Sequence, residues 1–498
     1  MARIDERPFP PGEYDVVVVG SGPGGLQTAY SLARTGIERV AVLSRDDAPG
    51  GMFRRFPVYQ RLISWTRPEA PFAHGTREYE WYDHNSLVGD EPAHQALMPA
   101  LMDRTMDLPT RLEMESALAA FAERGAVRVR YGCEWQATRR EGEQLVLETS
   151  DGDYRCRAAV FALGVTEPWR PSIPGLEADV PHYVDTRAPE RYAGKRVLIV
   201  GKRNSGFEVA HGLLPWAQEI TLVSPRPVET GVLAFSPLRV RYLQPYEEHA
   251  RGGAGTFVLD AALERVERTN GAYRVHASGT SRPGSLELEA DELVLATGFR
   301  TPLRDLPQLG VATFHEGRLP AQTPYWESVS APEIYFAGNA TQGSPGLRKY
   351  GATSNSSSVN GFRYNARVLA RRIVERHFGI APKRPRLARE AVVPLLLAEL
   401  ARAPELWIQK GYLARVVTFD GDTRDEGVLP LEDFVDSGGP DAVAVAIELD
   451  AQATIVPVVY VRRGGRIAEH VLPPHPLYAF DSEEHRRELE ARLLTVAR

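Results

Sequence analysis

Cysteine is almost absent from this chain. Its 498 residues include two cysteines, which excludes a framework of several disulfides. Cys133 and Cys156 lack the C-x-x-C spacing of a redox dithiol, and each lies in a strand-like stretch. We therefore expect two packed thiols and no transfer of electrons through a cysteine pair.

Long apolar runs and an excess of positive charge are missing as well. No stretch approaches the roughly 20 apolar residues that span a bilayer, and the first residues lack the apolar core of a secretory signal. The formal net charge of -6 argues against nucleic acid or an anionic membrane as a partner. These absences favour a cytoplasmic protein, and no metal site is predicted.

A glycine-rich fingerprint lies close to the N-terminus. The apolar run YDVVVV (residues 14–19) leads directly into GSGPGG (residues 20–25), and a helical pattern follows. In the order strand, G-x-G-x-x-G, helix, the motif predicts a dinucleotide-binding fold. Gly20 permits the tight turn, Gly22 lets a pyrophosphate approach the backbone, and Gly25 lets helix and strand pack closely. The N-terminus of the helix then offers unsatisfied N–H groups to the phosphates.

One element of that fold is missing. The second strand, VAVL at residues 40–43, should be followed by an acidic residue that binds the adenosine ribose. The chain has SRDD at residues 44–47 instead. The ribose contact is therefore expected either from the hydroxyl group of Ser44 or from Asp46.

A second fingerprint follows the apolar run at residues 196–200. The residues expected to bind its dinucleotide are Gly201, Asn204, Ser205 and Gly206. The next strand ends on Ser224 and is followed by Arg226, with no Asp or Glu at this point. An acidic residue would repel a 2′-phosphate, whereas Arg226 would pair with one. Since Lys202 and Arg203 add positive charge, the pattern favours NADPH over NADH.

Together with five further segments, the two fingerprints resemble the flavoproteins with two dinucleotide-binding domains and, among them, the class B flavin monooxygenases. The further segments are GGMF (50–53), LPTR (108–111), FALG (161–164), LATG (295–298) and IYFAGN (334–339). All seven occur in the order of the family, between residues 14 and 375. The resemblance implies an α/β protein with two Rossmann-like domains that bind FAD and NADPH.

The resemblance also implies positions for residues and domains. It places near FAD the residues Gly50, Gly51, Met52, Phe53, Gly338 and Asn339, and it places Gly298 at a crossing between the domains. Residues 345–351 would bring a helix start towards the isoalloxazine ring. The expected domains are an FAD-binding domain (1–170 and 290–382), an NADPH-binding domain (171–289) and a C-terminal appendage of unknown role (383–498).

The appendage is predicted to be a small α+β segment, which the resemblance does not reach. A helix is expected at residues 390–400, and paired strands are expected at residues 443–447 and 455–461. Ahead of the second fingerprint, an insert at residues 54–107 is dense in aromatic and basic residues. We expect this insert to form the substrate side of the active site.

The residues do not decide the subclass. In the Baeyer–Villiger signature F-x-G-x-x-x-H-x-x-x-W only His182 matches, because Leu176, Ala178 and Thr186 occupy the other positions. The L-x-x-N-x-P run of flavin-containing monooxygenases has no Asn at residues 62–68. Amine or other heteroatom oxygenation is favoured, and Baeyer–Villiger insertion is second.

The resemblance implies a monooxygenase reaction. NADPH would reduce FAD, the reduced flavin would capture O2 as the C4a-(hydro)peroxide, and a small substrate would take one oxygen atom. Arg67, Asn339 and Lys349 are the candidates to hydrogen-bond the peroxide. Two alternatives stay open: an NADPH-dependent flavin reductase or dehydrogenase without oxygenation, and a non-enzymatic flavin-binding redox sensor. The oligomeric state and the substrate are not predicted.

Overall fold

The computed structural model describes residues 7–55, 61–176, 179–229, 240–344, 349 and 355–493. Contacts divide the chain into two compact units. The first consists of Met1–Arg54, Ser64–Val165 and Thr301–Arg498, and the second consists of Arg55–Ile63 and Thr166–Arg300. Strands and helices are numbered below along the chain.

A largely parallel sheet forms the centre of the first unit. Its N-terminal elements are β1 (Gly12–Val19), α1 (Pro23–Leu32), β2 (Val40–Ser44), α2 (Met98–Leu101), α3 (Arg111–Arg124), β3 (Arg130–Tyr131), β4 (Trp135–Glu141), β5 (Gln144–Thr149) and β6 (Gly152–Phe161). The strand order is β3-β2-β1-β6-β5-β4. β1 pairs in parallel with β2 and β6, whereas β4, β5 and β6 form an antiparallel meander. The apolar second half of β1 is buried, as expected of a central parallel strand.

The second unit contains a sheet of its own. Its elements are β7 (Glu167–Pro168), β8 (Arg196–Val200), α4 (Asn204–Leu213), β9 (Glu219–Ser224), α5 (Val240–Gly252), β10 (Thr256–Thr269), β11 (Ala272–Gly279), β12 (Ser285–Ala290), β13 (Glu292–Leu295) and β14 (Phe299–Arg300). The strand order is β12-β11-β10-β9-β8-β13. Strands β13, β8, β9 and β10 are parallel, and β10, β11 and β12 are antiparallel. The expected α/β class with two Rossmann-like sheets is confirmed.

The chain then returns to the first unit. β15 (Thr313–Phe314) and β16 (Leu319–Pro320) form a short hairpin, and β17 (Ile334–Phe336) joins the first sheet beside β6. β17 therefore directs the chain to the edge of the sheet at which β1 ends. α6 (Val359–Phe378) follows and packs against α1.

The C-terminal segment adds an antiparallel sheet and its helices to the first unit. Its elements are α7 (Arg389–Arg402), α8 (Pro404–Ile408), β18 (Leu413–Asp420), β19 (Asp422–Pro430), α9 (Leu431–Asp436), β20 (Ala442–Leu449), β21 (Ile455–Arg463), β22 (Arg466–Val471) and α10 (Glu483–Leu493). The predicted helix and the predicted pairing of β20 with β21 are confirmed. Leu400 and Trp407 from the helices pack with Val443 and Val459 from the sheet in one apolar core. Among the described residues, no helix combines the length and the apolarity needed to cross a membrane.

Buried ion pairs join the insert to this C-terminal segment. Arg77 donates to both carboxylate oxygens of Glu399, at 2.7 and 2.8 Å, and to Glu405 at 2.9 Å. Both glutamates are buried, and Trp81 packs on Trp407 with 4.2 Å between ring centroids. Removing one member of such a cluster leaves an uncompensated buried charge. These ion pairs therefore fix how the insert packs against the C-terminal segment.

Candidate functional site

The first glycine loop lies where three segments of backbone meet. A Cβ atom on Gly25 would overlap the carbonyl oxygen of Gly20, and one on Gly24 would lie 2.5 Å from the backbone nitrogen of Gly338. A Cβ atom on Gly20 would lie 2.5 Å from the carbonyl oxygen of Ala162, directly after β6. Side chains at these positions would separate helix α1 from the ends of β1, β6 and β17.

Gly22 is different, because its missing side chain leaves a cradle open. Among the described residues, a Cβ atom on Gly22 would meet only the Cα atom of Gly51 within 4 Å, at 3.8 Å. Gly22 is also the N-cap of α1 and makes no side-chain cap bond, and the first turn of α1 carries no acidic residue. The first N–H groups of the helix are therefore suited to a phosphate group. The cradle fits the pyrophosphate of a dinucleotide.

Asn339 contributes a polar atom to the same region. Its Oδ1 atom is buried and has no hydrogen-bond partner among the described residues. An unsatisfied buried acceptor costs roughly 1–3 kcal/mol, which a hydroxyl donor of a bound ligand would offset. Because Gly338 lies against Gly24, this acceptor is close to the first glycine loop. Gly22, Gly51, Gly338 and Asn339, four of the residues expected near FAD, thus lie in one region that fits a dinucleotide.

Ser44, at the end of β2, is tied to the glycine loop. Its Oγ atom accepts a hydrogen bond from the hydroxyl group of Ser21 at 2.8 Å and one from the backbone N–H of Asp46 at 3.2 Å. The hydroxyl proton of Ser44 remains available to donate to a ribose, at the position where such folds usually have a carboxylate. Gly50 donates its N–H to the carbonyl of Ser21 at 3.1 Å. A short 3-10 turn over Gly51–Arg54, which includes Met52 and Phe53, follows it.

The second fingerprint repeats this geometry in the second unit. A Cβ atom on Gly206 would overlap the carbonyl oxygen of Gly201, and one on Gly201 would collide with the backbone of Ala296. Asn204 and Ser205 form the first turn of α4, which again carries no acidic residue. The second loop therefore brings strand and helix together in the same way as the first, but Arg203, the N-cap of α4, stands where the first loop has Gly22.

Of the cations expected at the second loop, Lys202 has protein partners. Its Nζ atom donates to the carbonyl of Leu259 at 2.8 Å and pairs with Asp260, and the residue is 4% exposed. Arg203 and Arg226 are both exposed, the latter just after Ser224 at the end of β9. These two arginines are the candidates to bind a 2′-phosphate.

His182 is buried against the segment that follows β13. Its Nε2 atom lies 3.1 Å from the carbonyl oxygen of Gly298, and its ring packs edge-on against Phe299. Burial lowers the pKa of His182 to about 4, so its imidazole is neutral near pH 7. Within the second unit, His182 thus contacts the predicted crossing at Gly298.

The three residues expected near the reacting centre have different surroundings. Arg67 is exposed, with its guanidinium carbon 5.7 Å from the centre of the Tyr82 ring. Lys349 forms ion pairs with Glu448 at 3.0 Å and with Glu469 at 2.8 Å. Asn339 is the candidate with a buried atom open to a ligand. The other members of the predicted flavin-facing segment, residues 345–348 and 350–351, lie outside the described residues.

Sequence reasoning did not anticipate that the C-terminal segment reaches Lys349. Glu448 lies at the end of β20, a strand predicted from its apolar pattern, and Glu469 lies on β22, for which no strand was predicted. A single glutamate in such a strand has no local feature that indicates its partner.

The profile of the pyridine nucleotide-disulphide oxidoreductase family matches residues 17–338. A curated relative, FAD-dependent oxidoreductase domain-containing protein 2 of Danio rerio, is 25% identical over 468 residues, which are 82% of this chain and 65% of the relative. The chain thus spans less than two thirds of that relative. The relative of the same name from Mus musculus is 26% identical over 409 residues, which are 74% of this chain and 58% of the relative.

Solved structures with related folds include a reductase and a monooxygenase. Bacillithiol disulfide reductase from Bacillus cereus superposes with a TM-score of 0.57 at 20% identity, covering 73% of this chain and 100% of that chain. The flavin-containing monooxygenase from Stenotrophomonas maltophilia superposes with a TM-score of 0.55 at 22% identity, covering 73% of this chain and 98% of that chain. The resemblance to class B monooxygenases is confirmed at the level of the fold. The expected oxidoreductase class and the expected cofactors, FAD and NADPH, are confirmed with the family.

The cradle at Gly22 generates a prediction for FAD binding. Gly22→Ala should fold, because its Cβ atom meets only ordinary van der Waals contact, but it should bind FAD about tenfold more weakly or worse, because the methyl group separates the backbone from the pyrophosphate. Flavin absorbance after purification and FAD titration of the apoprotein measure this. Gly438→Ala, where a Cβ atom meets nothing within 4 Å, is the matched control. Undiminished FAD affinity in Gly22→Ala would contradict the assignment of this loop.

The exposed arginine after β9 generates a prediction for cofactor choice. Arg226→Ala should raise the KM for NADPH and leave the KM for NADH nearly unchanged. The variant would lose a hydrogen bond to the charged 2′-phosphate, which contributes about 1.5–3 kcal/mol of binding free energy. Steady-state oxidation of both cofactors measures the difference, with Arg203→Ala as the comparison. An equal effect on NADPH and NADH would show that Arg226 does not bind the 2′-phosphate.

Proposed function

The chain belongs to the pyridine nucleotide-disulphide oxidoreductase family, and we propose that it is an FAD- and NADPH-dependent monooxygenase that acts on a small molecule. Oxygenation of an amine or another heteroatom is the favoured chemistry, and Baeyer–Villiger insertion is second. The observation that carries the proposal is the state of the two cysteines. The domain boundaries and the cytoplasmic location stay predictions.

Both cysteines are buried, unpaired thiols in the apolar core of the first sheet. Burial raises the pKa of Cys156 to about 12 and also raises the pKa of Cys133. Only the thiolate reduces a disulfide, and it must be accessible to its partner. Since the chain contains no other cysteine, a relay through protein thiols, which the family name suggests, is disfavoured. Electrons from the flavin are then available to O2 or to another external acceptor.

The residues of the chain have binding and positioning roles in this proposal. Bound FAD would supply the redox chemistry, by accepting a hydride from the nicotinamide and reacting with O2 when reduced. The cradle between Gly22 and Gly51 would hold its pyrophosphate, and Asn339 would accept a hydrogen bond from it. Gly206 and Arg226 would bind NADPH.

The insert contributes buried aromatic and imidazole side chains to the expected substrate side. Trp65 stacks on His84 with 3.9 Å between ring centroids, and the Nε2 atom of His84 is buried without a partner among the described residues. Burial lowers the pKa of His84 to about 3 and the pKa of Lys410 to about 8. Burial and the positive charges of Arg363 and Lys410 disfavour a further cation here. They would favour the unprotonated form of an amine, which has the electron pair that heteroatom oxygenation requires.

A second candidate is an NADPH-dependent flavin reductase without oxygenation. The observation in its favour is that the fold of the bacillithiol disulfide reductase matches this chain as well as the fold of the monooxygenase does. Fold alone does not determine the electron acceptor. The fate of O2 separates the two candidates.

The proposal is tested by the stoichiometry of oxygen. The purified protein would be supplied with NADPH, isotope-labelled O2 and a panel of primary, secondary and tertiary amines and ketones. A monooxygenase should transfer label into one product, and the release of H2O2 per NADPH should fall when that substrate is present. H2O2 equal to NADPH with every compound, and no labelled product, would favour the reductase.

The buried cysteines generate a separate prediction. The double variant Cys133→Ser, Cys156→Ala should oxidise NADPH within a few-fold of the parent, because neither thiol serves as a relay. Serine retains a hydroxyl group where Cys133 donates to Thr149 at 3.4 Å, and alanine avoids placing a hydroxyl group in the apolar core at position 156. Stopped-flow absorbance should also show no thiolate–flavin charge-transfer band in the reduced parent. A folded double variant whose reduced flavin no longer reoxidises would contradict this interpretation.

A further inference from the structure

A tight turn connects β11 to β12 in the second unit. It consists of residues 280–284, all of which are exposed. Gly279 closes the turn by donating its N–H to the carbonyl of Gly284 at 2.9 Å. A Cβ atom on Gly279 would overlap the carbonyl oxygen of Arg282. The turn is therefore closed in a way that only glycine permits at its first end.

Two residues of this turn bond to the neighbouring parallel strands. Thr280 donates its hydroxyl proton to the carbonyl of Pro225, just after β9, at 2.5 Å and its backbone N–H to the carbonyl of Asp260 at 2.8 Å. Ser281 donates its hydroxyl proton to the carboxylate of Asp260 at 2.7 Å. Asp260 itself pairs with Ser224, the last residue of β9. These bonds hold the turn beside the carboxyl end of β9.

An ion pair connects the second glycine loop to the same place. Lys202 lies in that loop, and its Nζ atom pairs with Asp260. The hydrogen bonds from Lys202 and Ser281 lower the pKa of Asp260, so this carboxyl group is ionised near pH 7. A carboxylate would repel a phosphate group, but the charge of Lys202 compensates it. The ion pair therefore adds no net charge at the end of β9.

Two arginines at this place have no such compensation. Arg226 directly follows Pro225, and Arg282 directly follows Ser281 in the turn; both arginines are exposed. Among the described residues, neither arginine forms an ion pair with a carboxylate. Because Thr280 bonds to Pro225, the two arginines lie on adjoining segments of backbone. Two uncompensated guanidinium groups on adjoining segments are suited to bind a phosphate group from two sides.

We propose that the turn at residues 280–284 is part of the NADPH site and that Arg282 binds the 2′-phosphate together with Arg226. Thr280 and Ser281 are positioning residues that hold the turn at the end of β9. The proposal rests on the NADPH site at Gly206 and Arg226, because the residues after the second strand of such a fold contact the adenosine ribose. It adds a specificity-determining residue that lies far from both glycine motifs in the sequence.

The test is a calorimetric titration of the full-length protein with adenosine 2′,5′-bisphosphate and with 5′-AMP, which lacks the 2′-phosphate. Arg282→Ala should bind the bisphosphate about tenfold more weakly, because a hydrogen bond to a charged group is lost, and should bind 5′-AMP nearly as tightly as the parent does. Arg282→Lys should lose less affinity, because lysine keeps the charge. Thermal unfolding checks that each variant folds.

Arg268→Ala is the matched control. Arg268 is also exposed, lies near the far end of β10 and pairs with Asp179 at 3.0 Å. Its removal changes the net charge by the same amount as Arg282→Ala does. It should leave the affinities for both ligands unchanged, which separates a local contact from a general effect of charge.

A second pair of variants tests the positioning role of Thr280. Thr280→Val removes the hydroxyl group that bonds to Pro225 but keeps both arginines, and it should weaken binding of the bisphosphate selectively. Thr280→Ser keeps a hydroxyl group and should bind like the parent. The ratio of the two affinities is decisive, because a general loss of structure would weaken both ligands alike.

Three outcomes would count against the proposal. A folded Arg282→Ala variant with the parent's affinity for the bisphosphate would overturn it. An equal loss of affinity for the bisphosphate and for 5′-AMP would show that Arg282 does not bind the 2′-phosphate. Equal losses in Thr280→Val and Thr280→Ser would reject the positioning role.

The parent protein separates this proposal from the proposed function. A parent that binds the bisphosphate no more tightly than 5′-AMP would overturn both this proposal and the choice of NADPH. A parent whose preference for the bisphosphate depends on Arg226 but not on Arg282 would overturn this proposal alone. Because the titration requires no turnover, its result does not depend on whether the reduced flavin oxygenates a substrate.

Discussion

Close approach of backbone to backbone, without side chains between, is the constraint on which both nucleotide sites depend. In the first unit, α1 begins against the ends of β1 and β17 because Gly25 and Gly24 have no Cβ atom. In the second unit, Gly206 meets Gly201 in the same way. Each helix then directs its N–H groups and its positive dipole end at the loop. An anionic dinucleotide is the ligand that this arrangement suits.

This constraint is local, which explains why the sequence was sufficient to predict it. Glycine spacing, an apolar strand before it and an apolar helix face after it all lie within one short stretch of chain. The parallel sheets and the places of Gly22 and Gly206 in the loops could therefore be predicted from the residues alone. The roles of these residues in cofactor binding stay predictions that the geometry supports.

Contacts between distant charges could not be predicted in this way. Lys202 was expected to add charge to the phosphate loop, but it forms an ion pair with Asp260. Asp260 is the last residue of β10 that pairs with β9. Arg77 joins two buried glutamates of the C-terminal helices, and nothing in the pattern around it distinguishes it from an exposed arginine. The periodicity of an apolar face predicts an element and its buried side. It does not indicate which charge lies opposite.

The same distinction applies to the chemistry. A fold shared by reductases and monooxygenases does not determine the electron acceptor, which depends on the groups around the flavin. In this chain, burial prevents the two thiols from accepting the electrons. The buried polar groups of the first unit include a neutral His84, a Lys410 whose pKa burial lowers to about 8, and a Lys349 that is paired with Glu448. The C-terminal segment supplies Lys410 and Glu448, the partner of Lys349, so the buried charges of the first unit depend in part on a segment that carries no nucleotide motif.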